Sequence, residues 1–518
     1  MAKQLLNALR SIGTELEASQ DADAIYEHNV ELAEVGSLLS QNDEATMLLR
    51  RQISSQADIG RQLVDAWKTI SSRLQKEDDD NRSIREAAAF AALNKVTAPA
   101  DSTLDVPTGQ TISPVTAQVY QTVVQLARVT RDMLAGLAEA KAVVLPCEPF
   151  MRLILYRITT FDRIKDEEMI PAQRAVLQAF SNLVSPVDEE TAEWVFPLWQ
   201  TYNTGSREDA VMLRALDSED AMTIMSCIML TINFVRADDR VTKSLGTSEL
   251  RPLVAKIIHK IGAYSDVEGG SMEERCFHLG YQLFSMLFQQ NMQGPLFSIL
   301  SSPNEPVTPS QTTLLQLLDG YHHNADWDAG TSAPQRNGYS FLIPAFFAMS
   351  EYAIAAMTPS IAQTEQDQQA LDDDPKLPKV FEACILVCQC MITVCLAETE
   401  HEAQTAKGLL SAIRSASEGD KHFISVLIES RDGTTGLAGF APLKRDLVQL
   451  AGLLANDDKM TQDQIRECVI REYALLAVRN LMIDNEANQA IIKEMDPVGL
   501  VGPDGELREL PARMGVKK

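Results

Sequence analysis

Cys384, Cys388 and Cys395 stand at i, i+4 and i+11, a spacing that puts three thiols on one helical face, with Cys390 on another. Thiolates select soft metals such as Cu(I), so metal chemistry is sought here first. The surroundings argue for packing instead. Isoleucine, leucine, valine and methionine enclose these thiols and raise their pKa, and three cysteines without a nearby histidine or a second loop do not close a four-ligand site. His322-His323 with Asp326 and Asp328 offers harder ligands. Adjacent side chains on a loop diverge, and the reading is an unligated surface pair. His401-Glu402 begins like a zincin helix, then places Thr405 where the second histidine must stand. A G-x-x-x-x-G-K-S/T loop, a G-x-G-x-x-G turn after a strand and a G-x-S-x-G elbow are all missing. No nucleophile, base and orienting group can be named, so the expectation is a non-enzyme with no cofactor and no metal.

The elements that carry these residues read as helices almost throughout. Val115, Val119, Val123, Leu126, Val129, Met133 and Leu137 recur at intervals of three and four, the stripe of an amphipathic helix, and convincing strand alternation is missing. Ser113-Pro114, Ser185-Pro186 and Thr308-Pro309 each predict a helix start, with a capping hydroxyl before a proline whose missing N–H costs nothing there. Asp188, three residues after Ser185, extends that pair toward a capping box. Helices that follow one another over 518 residues predict an all-α fold, either a globular helical domain or an α-solenoid of helix pairs and triplets, and the expectation is the armadillo/HEAT-like α-solenoid, a right-handed superhelix of stacked helices.

Three apolar helix ends carry an asparagine: Asn182, Asn233 and Asn480. In armadillo-type repeats such an amide binds the backbone of a partner or of the next repeat; the competing reading is a local carbonyl near a helix end. Asn182 and Asn233 lie 51 residues apart, a little more than the ~40–47 of such repeats. Thr97 to Pro114, Ser301 to Pro309, His322 to Asn337 and Thr358 to Pro378 are polar or proline-rich and read as loops, while residues 76–86 read as an exposed helix end or turn. The expected divisions are helical repeats over 1–95 and 114–300, helices with polar loops over 301–378, a repeat over 379–438 and a C-terminal domain over 439–510.

Composition bounds the partners. The chain has 72 Asp and Glu against 46 Lys and Arg, a net charge of −26, and this field repels phosphate backbones and anionic membrane surfaces. Eight cysteines, mostly in apolar runs, suit a reducing compartment rather than a disulfide framework. The first residues lack the continuous apolar core of a secretory signal. The run from Ala383 to Leu396, broken by Gln389, reads as too short for a bilayer that needs about 20 residues. The expectation is a cytoplasmic protein whose partners are other proteins, with no nucleic acid and no membrane, and with homo-oligomerisation left open. Trp67, Trp194, Trp199 and Trp327 do not recur at a repeat interval and read as isolated core or interface aromatics.

The last 80 residues carry ordered blocks. Gly439-Phe440 is followed by Leu443-Lys444-Arg445-Asp446-Leu447, then Gln462 to Glu467, then Ile470-Arg471-Glu472-Tyr473-Ala474 running to Arg479-Asn480-Leu481, then Asn485-Glu486-Ala487-Asn488-Gln489, and a tail from Val498 to Leu510. Together they resemble the C-terminal domain of the ataxin-10 family, in which a Phe-Lys-Arg-Asp-Leu helix is joined to an Ile-Arg-Glu-Trp-Ala helix ending in Arg-Asn-Leu and Asn-x-x-Asn-Gln. Tyr473 replaces the family's usual tryptophan. Glu467 runs through Cys468-Val469 directly into Ile470, omitting a segment that the family carries there. The resemblance implies an armadillo-like scaffold or adaptor in cytokinesis, cell-division regulation and signalling. Two alternatives stand beside it: an import-receptor-like adaptor for basic peptides, and, because a fungal branch of the family carries a copper-transport name, a protein of copper homeostasis. The candidate partner-binding residues are Asn182, Asn233, Arg479, Asn480, Lys444 and Arg445.

Overall fold

The computed structural model describes residues 2–18, 21–41, 43–95, 113–160, 163–186, 192–204, 210–324, 338–357, 376–400 and 441–456, with 409, 413, 459, 462, 500–501 and 507–508. Among the described residues the protein is all-helical apart from one short antiparallel pair, β1 (Leu500–Val501) with β2 (Leu507–Arg508), in which Leu500 faces Arg508 and Val501 faces Leu507. The chain forms two compact units, Met1–Leu300 and Ser301–Lys518.

The first unit begins with α1 (Ala2–Ala18), α2 (Ala22–Leu39), α3 (Glu44–Ser54), α4 (Ala57–Lys95) and α5 (Pro114–Leu134). It continues with α6 (Ala138–Val144), α7 (Glu148–Ile158), α8 (Ile170–Val184), α9 (Ala192–Asn203) and α10 (Val211–Ala215). Next come α11 (Ala221–Ala237), α12 (Asp239–Leu245), α13 (Arg251–Ala263), α14 (Met272–Gln289) and α15 (Gln293–Ile299). Their packing recurs with every third helix. α2, α5, α8, α11 and α14 pack one on the next in that order; α4, α7, α10 and α13 form a second series, and α3 packs on α6 as α9 does on α12.

Local sequence explains the ends and faces. Ser113 caps α5, its hydroxyl accepting from Thr116 N at 3.1 Å, with Pro114 at the first position. Of the predicted stripe, Val119, Val123, Leu126, Val129 and Met133 are buried in α5; Leu137 is buried beyond it, after Gly136 turns the chain at φ +73°. α11 is apolar nearly all round because α8 and α14 enclose it. Phe180, Trp199, Tyr202 and Phe234 form an aromatic cluster between α8, α9 and α11, with centroids 5.0 to 5.7 Å apart.

Two local expectations are revised. Ser185 follows the last residue of α8, and the helix start expected at Ser185-Pro186, with Asp188, falls on residues 187–191, which lie outside the described residues. Residues 76–86 lie inside α4, where Asp78 accepts an ion pair from Arg163 at 2.5 Å and Glu77 one from Arg73 at 3.1 Å. His322 and His323 sit in the last turn of a helix, not on a loop.

The second unit holds α16 (Pro309–Asn324), α17 (Leu342–Met357), α18 (Leu377–Glu400) and α19 (Ala441–Ala455). α16 opens with a reciprocal capping box: Thr308 Oγ1 accepts from Gln311 N at 3.2 Å, while Gln311 Oε1 accepts from Thr308 N at 2.9 Å. α18 packs against α16, α17 and α19. Over Leu377–Ala397 it is long and apolar enough, by length and composition, to cross a membrane. That is longer than the sequence run suggested, because Val380 and its neighbours extend the apolar face by one and a half turns; Val380, Val387, Met391 and Val394 are buried within the unit.

One close approach has a measurable consequence. Gly280 of α14 faces Ile261 of α13, where an added methyl would overlap Ile261 Cδ1 and Cγ1. Alanine favours the helix by up to about 1 kcal/mol, but overpacking costs about 1–3 kcal/mol, so Gly280→Ala is expected to lower stability in chemical denaturation. With Ile261→Ala in the same chain, the combined loss should be smaller than the sum of the two single losses.

Candidate functional site

The side chains that organise the first unit are polar groups of one helix reaching the end of another. Asn182 of α8 donates its amide to the Arg131 carbonyl of α5 at 2.9 Å. Asn233 of α11 donates to the Ser181 carbonyl of α8 at 2.8 Å and to Ser181 Oγ at 2.9 Å. The two bonds are equivalent in register. Asn233 binds the residue before Asn182, and Asn182 binds the residue before Asp132, which makes Asp132, Asn182 and Asn233 one row across three parallel-ordered helices. Asn29 of α2 makes a related bond to the Gln118 carbonyl of α5 at 3.1 Å. Asn233 is buried, at 8% exposure.

Charged groups secure the same helices. Arg131 Nε meets Asp132 Oδ1 at 2.8 Å while its Nη1 donates to Gln178 Oε1 of α8 at 2.9 Å. Asp220 caps α11 through Thr223 N at 2.7 Å and accepts from Arg174 Nε of α8 at 2.7 Å. Partial burial pushes the Asp220 carboxyl up, yet the hydrogen bonds from Arg174 and Thr223 outweigh it and hold the group below the ordinary carboxylate range.

In the second unit Arg445 is exposed and pairs with its neighbour Asp446, Nη2 to Oδ1 at 2.8 Å. Asp446 is 2% exposed and accepts from Gln389 Nε2 of α18 at 3.1 Å. Gln389, which interrupts the apolar run, therefore ties α18 to α19. Lys444 lies in α19. Arg479 and Asn480 lie outside the described residues, so the asparagine row is seen at Asn182 and Asn233 alone of the three asparagines read from the sequence.

The groups with metal-binding chemistry are packed. Cys384, Cys388, Cys390 and Cys395 are all buried free thiols on α18. Burial pushes Cys384 up to about 12, partly opposed by a hydrogen bond with Ser350, and pushes Cys388 and Cys390 well above the ordinary range. Among the described residues no group of three or more His, Cys, Asp and Glu is placed to hold a metal ion. His322 is buried in α16, its Nε2 at 3.0 Å from Tyr339 Oη, and burial together with His323 lowers it to about 4. His323 is exposed, so the two rings diverge, as adjacent residues of a helix must. Asp326, Asp328, His401, Glu402 and Thr405 lie outside the described residues. Trp67 and Trp199 are buried, with indole N–H groups donating to Thr130 Oγ1 at 3.2 Å and Ser244 Oγ at 2.8 Å.

An open groove between α4 and α6, lined by Gln56, Gly60, Arg61, Val64, Asp65 and Val143 among others, includes no serine, threonine, cysteine, lysine or histidine. The chain matches no known protein-family model, and no curated protein is significantly similar to it in sequence.

Two measurements follow. Asn233→Ala strips two bonds from a buried site and is expected to cost about 1–3 kcal/mol in urea unfolding, more than Asn182→Ala, whose half-exposed amide makes one bond; equal losses would contradict the difference in burial. At pH 8 the seven buried thiols should resist an aromatic disulfide reagent in the folded chain, so that no more than one of the eight reacts quickly until denaturant is added.

Proposed function

We propose that this chain is a non-enzymatic scaffold, an armadillo-like α-solenoid whose stacked helices present surface to protein partners, in the manner that the resemblance to the ataxin-10 family implies. The observation that carries the reading is the recurrence of packing with every third helix together with the equivalent bonds from Asn182 and Asn233. A structural unit that repeats and binds its own neighbour through the same position is the physical definition of a stacked array. In such an array affinity comes from a few anchors on a rigid surface, and no reacting group is required. The cytokinesis and cell-division setting belongs to the same proposal and rests on the Gly439 to Leu510 blocks alone.

Quantitative affinity capture with the full chain, after nuclease treatment, tests the reading. Protein partners in near-stoichiometric amounts are the expected result. Partners at background level, beside turnover of a compound in a metabolite screen, would overturn it.

A further inference from the structure

One turn before the row of Asp132, Asn182 and Asn233 lies a second row on the same three helices. Arg128, Gln178 and Met229 each precede their member of the first row by four residues, so they share its register. Here the side chains meet solvent. Arg128 is exposed, Gln178 is half-buried and Met229 is 38% exposed. Met222 and Met225, half-buried, continue the stripe along α11, and Arg236 is exposed at its last turn.

The charge of this face is opposite to that of the chain. α5, α8 and α11 contain four arginines, Arg128, Arg131, Arg174 and Arg236, and one acid, the buried Asp132. The whole protein carries −26. Arg131 is held by Asp132 and Gln178, and Arg174 by Asp220. Arg128 and Arg236 have no ion-pair partner among the described residues. Neighbouring helices do not share the composition: α2, at the start of the series, carries Asp23, Glu27, Glu31 and Glu34.

Resting on the scaffold reading, we propose that the exposed row of α5, α8 and α11 docks an acidic peptide segment of a partner protein, one that alternates carboxylates with large apolar side chains. The two free guanidiniums supply bidentate carboxylate sites. Between them, methionine presents a flexible and polarizable surface that adapts to aliphatic or aromatic anchors. A basic peptide, the ligand of an import-receptor-like adaptor, meets repulsion on this face. A nucleic acid would find arginines here but no aromatic platform, within a molecule whose net field opposes it.

The test uses fluorescence anisotropy with the full chain and a labelled peptide of Glu and Asp pairs interleaved with Leu and Phe. Binding that weakens at least tenfold in Arg128→Glu/Arg236→Glu, weakens less in Arg128→Lys, which keeps the charge but loses the bidentate fork, and falls in Met225→Ser/Met229→Ser supports the row. Equal binding by the double arginine variant, or stronger binding by the same peptide with Lys for every acid or by a single-stranded oligonucleotide, overturns it. Partner capture separates this proposal from the one beneath it. Partners lost from the double arginine variant but held by the unaltered chain support the row, and partners held equally by both overturn the row while the scaffold reading stands. An unaltered chain that binds the acidic peptide as described, captures no partner and turns over a compound supports the row and removes the scaffold reading.

Discussion

The last turn of an α-helix leaves carbonyl oxygens without an intrahelical donor, and the first unit depends on how those oxygens are satisfied. They are taken by side chains from other helices. The Leu39 carbonyl that ends α2 accepts from Arg50 Nε of α3 at 3.0 Å, and Arg50 Nη1 also reaches the Ala135 carbonyl after α5 at 3.1 Å. The Ile158 carbonyl that ends α7 accepts from Gln173 of α8 at 2.8 Å, and the Ser185 carbonyl after α8 accepts from Lys141 of α6. Asn182 and Asn233 act the same way on α5 and α8. Each bond does two things: it satisfies a buried or part-buried acceptor at a helix end, and it sets the height of one helix against the next. Apolar packing alone specifies register weakly, because a leucine stripe slides over another with modest penalty. A directional bond from a buried amide does not.

The same logic explains why chemically attractive residues have a structural role here. A thiol surrounded by aliphatic groups is a small hydrophobe with a suppressed ionisation, and Cys384, Cys388 and Cys390 fill α18 in that capacity. His322 is held neutral by burial and occupied by Tyr339. Gln389 and Asp446 are the exceptions that specify: an amide and a carboxylate facing each other between α18 and α19 fix how two strongly apolar helices meet.

Surface chemistry then becomes regional rather than uniform. Acids predominate over the chain as a whole, yet three successive members of one helix series are nearly free of them. Burying one face of each helix and pairing its end leaves a narrow outward strip, and the residues on that strip decide what a partner meets.

Helical class, the starts at Pro114 and Pro309, the core stripe of α5 and the packing of the α18 cysteines in apolar surroundings were legible in the sequence, because each depends on residues close together in the chain. The asparagines at 182 and 233 were also visible as unusual residues in apolar helix ends. What they bind was not, since an amide near a helix end has local and distant acceptors of equal chemistry, and only packing decides which one arrives within 3 Å. Ser185 shows the same limit: its place at the end of α8 is local, but the donor that takes its carbonyl is Lys141, forty-odd residues away. The division at Leu300, the every-third-helix packing and the exposed row of Arg128, Gln178 and Met229 belong to tertiary structure alone. Periodicity tells a helix which side is apolar, but the identity of the neighbour depends on contacts between residues that lie far apart in the chain.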